Sequence, residues 1–259
     1  IGEIWGYVTE GFFTSEEDVL NHPSQRLYFS SNAGNWLPGD IKFKDLNNDE
    51  VIDYGTNKVT DPGDRKIIGN STPRYTYSFN LGANWNNIFI SAFLQGVGKQ
   101  DWWPGTDNAL FWGQYNRPYN NIPKSMLGNI WSEDNPDAYF PRYRGYVALQ
   151  SSRELAVTQT RYLQDVSYIR LKNLQIGYNL PKRLLSSVRM KNARIYMSAE
   201  NLWGWSPLYK ITKNFDFGNI YGTDIEQAKA VRSTGTAGGS QVYNYPILKS
   251  ISFGVSGTF

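Results

Sequence analysis

The densest run of side-chain oxygens in this sequence is Asp45-Leu46-Asn47-Asn48-Asp49-Glu50-Val51-Ile52-Asp53. Counted from Asp45, oxygen side chains stand at places 1, 3, 5 and 9, and the Val51 carbonyl stands at place 7. A loop wraps a hard cation such as calcium with this spacing. Two places depart from a full EF-hand loop. Glu50 stands at 6, where glycine makes the sharp turn, and Thr56 stands at 12, where a bidentate acid closes the shell. Asp61 or Asp64 would have to close it from the next turn. The candidate ligands are therefore Asp45, Asn47, Asp49, Val51, Asp53 and Asp64, around a calcium ion with a structural role. The same residues also make an Asx-rich turn with no metal, because short polar side chains bond to their own backbone.

Other chemistry is thin. His22 is the only histidine, so a Ser-His-Asp triad or a His-based zinc site would rest on that one residue. It follows a helix end and precedes Pro23, which reads as capping. Asp134 and Asp137 beside Trp131 have the residue types of a glycosidase pair, but nothing else marks a pocket around them. The chain has no cysteine, so it has neither disulfides nor thiolate metal sites. No motif requires a cofactor, and no enzyme is expected. A net charge of +3, spread along the chain, gives no case for nucleic acid.

Aromatic residues are the remaining resource, at 15% of the chain with 9 Trp and 18 Tyr. Such rings stack on sugars, or line the interfaces of a membrane barrel. Trp102, Trp103, Trp112, Tyr115 and Tyr119 fall in one long connection, and Trp205, Tyr209 and Tyr221 in another. They are the candidates for contact with a cargo, against a reading in which they only pack the loops.

The elements that would carry these residues show a period of two. Tyr75, Tyr77, Phe79, Leu81, Ala83 and Trp85 alternate with Thr76, Ser78, Asn80, Gly82 and Asn84. Asn86-Asn87 makes a tight turn, and Ile88 to Val97 returns as the second arm of a hairpin. Residues 167–180 form a strand whose apolar face changes side near Asn173, as a bulge would cause. Residues 192–203 and the closing Ile251–Phe259 alternate in the same way. Thr14-Ser15-Glu16-Glu17-Asp18 reads as a helix start, with a hydroxyl cap and acids in the first turn.

The connections alternate in length. Residues 86–87 and 181–191 are short, whereas 98–166 and 204–247 are long. Outer-membrane barrels have short periplasmic turns and long extracellular loops. The organisation expected is a loop region with an Asp-rich turn at 1–74, a barrel hairpin at 75–97, and a long extracellular loop at 98–166. A strand pair with a short periplasmic connector follows at 167–203, then an extracellular loop at 204–247 and a last strand at 248–259. Five strands do not close a barrel, whose smallest members have about eight. The chain, which opens Ile1-Gly2-Glu3, is read as a piece of a longer protein.

Several runs in order resemble the C-terminal region of the SusC/RagA family of TonB-dependent outer-membrane transporters of Bacteroidetes. They are PGDIKFKDLNNDEVID with DRKIIGNSTPRYTYSFNLGANW, FISAFLQGVG, IWSEDNPDAYFPR, YLQDVSYIRLKNLQIGYNLP, ARIYMSAENLW and YPILKSISFGVSGTF, spanning Gly39 to Phe259. The resemblance implies an all-β fold: antiparallel strands forming the C-terminal part of a transmembrane barrel of about 22 strands. It implies an N-terminal plug and energy from TonB, both through parts outside these residues. A SusD-like surface lipoprotein would act as a lid, outer-membrane lipid would surround the wall, and the cargo would be an oligosaccharide or a peptide. The family's loop aligns with Asp45 to Asp53, with Asn48 and Glu50 where glycine is common, and the terminal Phe259 resembles a barrel-assembly signal. The rival architecture is a soluble β-sandwich that binds carbohydrate and holds a structural calcium. It requires the apolar strand faces to pack on a second sheet; a barrel turns them outward to lipid.

Overall fold

The structure is a computed structural model describing residues 2–27, 36–106, 108–116, 122, 124, 126–145, 153–220 and 247–259. The chain divides into two units. The first comprises Ile1–Thr72, Asp101–Gln164 and Ile220–Asn244; the second comprises Pro73–Gln100, Asp165–Asn219 and Tyr245–Phe259.

The first unit is built from short strands around an aromatic core. Strands β1 (Glu3–Tyr7), β2 (Thr9–Phe12), β3 (Ser24–Gln25), β4 (Ile41–Phe43), β5 (Val51–Ile52) and β6 (Arg65–Asn70) form three two-stranded pairings. β1 runs antiparallel to β6, β2 antiparallel to β4, and β3 parallel to β5. These lie within 1–74, the stretch expected to be mainly loop. Strands this short do not display a readable alternation. Ile41 and Phe43 face inward on either side of Lys42, and three residues are too few to tell from a loop. Helix α1 (Glu16–Leu20) forms as its cap predicts, with the Ser15 hydroxyl accepting from the Asp18 N–H at 3.1 Å. The buried core includes Tyr7, Phe13, Ile41, Phe43, Leu155 and Tyr162. Helix α2 (Ala109–Trp112) adds Phe111 and Trp112 to it.

The second unit is one antiparallel sheet. Its strands are β7 (Thr76–Trp85), β8 (Ile88–Val97), β11 (Tyr168–Asn179), β12 (Asn192–Trp205) and β13 (Ser250–Thr258), in the order β13-β12-β11-β8-β7. The two-residue strands β9 (Asp101–Trp102) and β10 (Gln164–Asp165) lie between β8 and β11 in sequence. Asn86 and Asn87 both adopt left-handed φ, 48° and 67°, which is how a two-residue turn follows the twist of its strands. The 181–191 connector holds helix α3 (Lys182–Leu185) and closes on the left-handed Arg189. Register fixes the faces. Ala83, Ile90, Ile176, Met197 and Phe253 form one row across all five strands. Gly82, Ser91, Gln175, Ser198 and Ser252 form the neighbouring row on the other face. The expected bulge lies between Leu171 and Asn173. Lys172 is the extra residue, so Leu171 and Leu174 share a face although they are three apart in sequence.

Candidate functional site

In the acidic loop each side chain bonds to the backbone of the loop itself. The Asp45 carboxylate accepts from Asn48 N at 2.6 Å and from Glu50 N at 3.0 Å. Asn47 accepts from Asp49 N at 3.1 Å, Asp49 from Val51 N at 2.9 Å, and Asp53 from Gly55 N at 2.7 Å. Asp64 is fully buried and does not turn to the other acids as a closing ligand. Its two oxygens accept from Leu46 N at 2.7 Å and Asp53 N at 2.9 Å, stapling the start of the loop to its end. Burial pushes the Asp64 carboxyl above the usual aspartate range, against the pull of those two bonds. Among the described residues, no group of three or more His, Cys, Asp or Glu side chains is arranged to hold a metal ion. This arrangement fits a hydrogen-bonded turn better than a cation shell.

The loop aromatics separate into three environments. Trp112 and Tyr115 are fully buried, which leaves neither a face for cargo. The Trp112 indole N–H donates to the carbonyls of Pro104 and Gly105, and the Tyr115 hydroxyl donates to Pro141 O at 2.5 Å. Burial raises the Tyr115 hydroxyl well above the usual tyrosine range. Trp102 and Trp103 are half-buried, edge-on to Phe111 and Trp112 at 6.0 Å each. Trp205 stands on the apolar face of the sheet opposite Ile169. Tyr209 packs on Phe217 at 5.1 Å. Tyr119 and Tyr221 lie outside the described residues. Trp102, Trp103, Trp112 and Tyr115 belong to the first unit, and Trp205 and Tyr209 to the second.

The remaining sequence candidates are structural. His22 packs edge-on to Phe13 at 5.1 Å, and burial lowers its pKa. Asp134 is exposed on a turn closed between Ser132 and Asn135, and Asp137 is exposed on the turn that follows it. Gly39, at a φ of 86°, lies so close to the Trp131 ring that any side chain would run into it. The first unit also holds a cavity of about 200 Å³ walled by Trp5, Tyr7, Tyr54, Asn57, Arg65 and Thr158.

A buried charge network escaped the sequence. Asp40, fully buried, accepts from Arg142 at 2.5 and 3.1 Å and from Arg144 at 2.9 Å. Arg144 also lies 3.6 Å from the fully buried Glu154. Burial, then the nearby Asp40 charge, push the Glu154 carboxyl up to about 7, against the pull of Arg144. Asp40 lies over a hundred residues before Arg142, Arg144 and Glu154, and no local pattern connects it to them.

The most extensive feature is the apolar face of the sheet. Trp85 is 78% exposed, Phe253 81% and Val255 76%. Around them Phe79, Leu81, Ile90, Ile195, Trp203 and Ile251 are exposed as well. An uncovered apolar surface spanning five strands is far larger than a water-soluble monomer tolerates. Its reverse carries mostly Ser, Asn, Gln and Gly, with Phe89, Phe93, Arg170, Arg194 and Tyr196 among them. Polar and apolar sides alternating along every strand are what a wall between lipid and a wet lumen needs.

No family model matches the chain. Over 202 residues it is 31% identical to a TonB-dependent receptor of Formosa agariphila, covering 78% of this chain and 17% of that protein. To a second TonB-dependent receptor of that organism it is 26% identical over 224 residues, covering 85% of this chain and 20% of that protein. The chain thus spans about a fifth of the length of the curated relatives it matches. Among solved structures it is similar to that of the RagAB peptide transporter, with a TM-score of 0.49 and 20% identity over 79% of this chain and 19% of that one. It is also similar to the RagAB peptide importer in its open-open state, with a TM-score of 0.46 and 21% identity over 78% of this chain and 19% of that one. The chain belongs to the TonB-dependent receptors of the bacterial outer membrane, as a segment of such a protein.

Proposed function

We propose that this chain is part of the wall and extracellular face of a TonB-dependent importer, which takes up oligosaccharides or peptides with a SusD-like lipoprotein as its lid. The observation that carries the proposal is the two-faced sheet: a continuous apolar side, a reverse of mostly polar and small side chains, and a bulge that keeps the two sides in step across β11. The relatives named as TonB-dependent receptors support it, and neither is named as an enzyme. Each strand of nine to fourteen residues is long enough to cross a bilayer at a barrel's tilt. Strands alone do not import. Energy transfer through TonB and the plug belong to the rest of the protein. A soluble carbohydrate-binding sandwich would need the exposed face around Phe253 covered by a second sheet. Of the proposed cargo residues, Trp102, Trp103 and Tyr209 keep partly open rings.

The experiment is detergent extraction of outer membranes, followed by native mass analysis of what copurifies with this chain. The reading expects the remaining barrel strands, a plug and a surface lipoprotein. Recovery as a water-soluble monomer without detergent would overturn it.

A further inference from the structure

The segment after β12 turns back onto the polar face of its own sheet. Arg170, in β11, is 4% exposed and lies directly across from Gly204 in β12. Its Nη2 donates to an Asp216 carboxylate oxygen, and its guanidinium lies over the Phe217 ring at 4.5 Å. Asp216 also accepts from Gly218 N at 2.8 Å and from Ile247 N at 3.3 Å, so one carboxylate gathers both ends of the 216–247 stretch. Phe217 lies against Gly204, where any side chain would run into its ring. Tyr168 and Tyr209 pack on the same ring at 4.9 and 5.1 Å. Leu208, Phe215 and Phe217 are buried by this arrangement, while Lys210, Ile211, Lys213 and Asn214 remain exposed at its tip.

The rest of the polar face is mostly small or uncharged side chains. A guanidinium this deeply buried is costly unless paired, and among the described residues its only ion-pair partner is Asp216. The pair lies at the strand ends that lead into the long connections, the extracellular end in the barrel reading. We propose that Arg170 is a positioning residue that pins the 206–219 segment over the lumen side of the barrel wall at its outer mouth. The segment is then a fixed inward fold that narrows the entrance and presents Lys210 and Lys213 to whatever passes. The pin rests on geometry within the sheet; its place at the lumen side of an outer mouth rests on the importer reading.

This chain has no cysteine, so once any cysteines elsewhere in the full-length protein are replaced by serine, a single cysteine reports cleanly. Leu208→Cys, at a side chain 1% exposed, is introduced into the full-length protein in outer membranes and labelled with an impermeant maleimide. Labelling is expected to be slow, and at least tenfold faster when combined with Arg170→Met or Asp216→Asn. The swap Arg170→Asp with Asp216→Arg is expected to return it towards the slow rate, which a loss of packing alone would not do. Gly204→Ala expels Phe217 without touching the ion pair and is expected to speed labelling as well, which keeps the test open if Arg170→Met fails to assemble. An unchanged rate in assembled Asp216→Asn and Gly204→Ala proteins would overturn the pin. A maleimide bimane on Phe253→Cys, with brominated lipid as quencher, is the separate control. If it is not quenched, the barrel reading fails whatever Leu208→Cys reports.

Discussion

Glu50 sits at a φ of 66°, a backbone region that costs a residue with a side chain roughly 1 kcal/mol or more. Glu50→Gly removes that strain but adds freedom to the unfolded chain. The net expectation is a gain of roughly 0.5 to 1 kcal/mol, read as a rise in Tm. The loop closes on its own N–H groups, so EDTA is expected to leave Tm unmoved. A fall of several degrees, reversed by calcium, would show that Asp45, Asn47, Asp49, Val51, Asp53 and Asp64 hold an ion after all. Glu154 makes the opposite kind of demand. Its carboxyl is held above the ordinary value near 4.5, up to about 7, because burial favours the neutral acid. Its contribution to stability is therefore full below about pH 4.5 and is lost as pH rises through 7. Melting at pH 5 and pH 8 should show the first unit less stable at pH 8. Glu154→Gln, neutral at both, should remove most of that difference. The spacing of the acidic run was legible from Asp45 to Asp53, but the direction each carboxylate turns was not. Asp64 could be named from its position, whereas its stapling role depends on a contact with Leu46 across eighteen residues.

At the scale of elements, legibility followed length. All five long strands, the Asn86-Asn87 turn, the α1 cap and the bulge near Asn173 stand where alternation and turn chemistry placed them. β1 to β6 did not show, because in strands of two to six residues the pattern is decided by partners rather than by sequence. The aromatic connection at 98–166 allowed two readings, contact with a cargo or packing of the loops, and Phe111, Trp112, Tyr115, Phe140 and Tyr162 are buried together. Composition reports that rings are present and cannot say whether they face one another. The bulge can be tested at this scale. Deleting Lys172 takes out the extra residue opposite β8, so Leu171 and Leu174 stand two apart and plain alternation keeps both on the apolar face. The deletion is expected to keep the heat-modifiable folded form in outer membranes, whereas an alanine inserted after Leu174, which exchanges the faces of Ile176 and Tyr178 with those of Gln175 and Gly177, is expected to abolish it. Lys172→Ala, which keeps the residue count, should assemble normally.

For the whole molecule, the decisive property is which side of the sheet is wet. Five strands in register keep Ile251, Phe253 and Val255 on the side of Ala199, Met197 and Ile195, and Ser252 and Ser256 on the side of Ser198 and Arg194. A sheet of this kind closes with further strands into a wall between lipid and lumen, and the long connections then collect at one mouth. The most direct measurement is a single-cysteine scan of residues 251–256 in the full-length protein, reconstituted into bilayers. Each site carries a bimane label, and brominated lipid is the quencher. Strong quenching at 251, 253 and 255 with little at 252 and 256 is the expected result. Equal quenching along the strand, or protection of Phe253 from lipid, would contradict the placement of this sheet in the membrane.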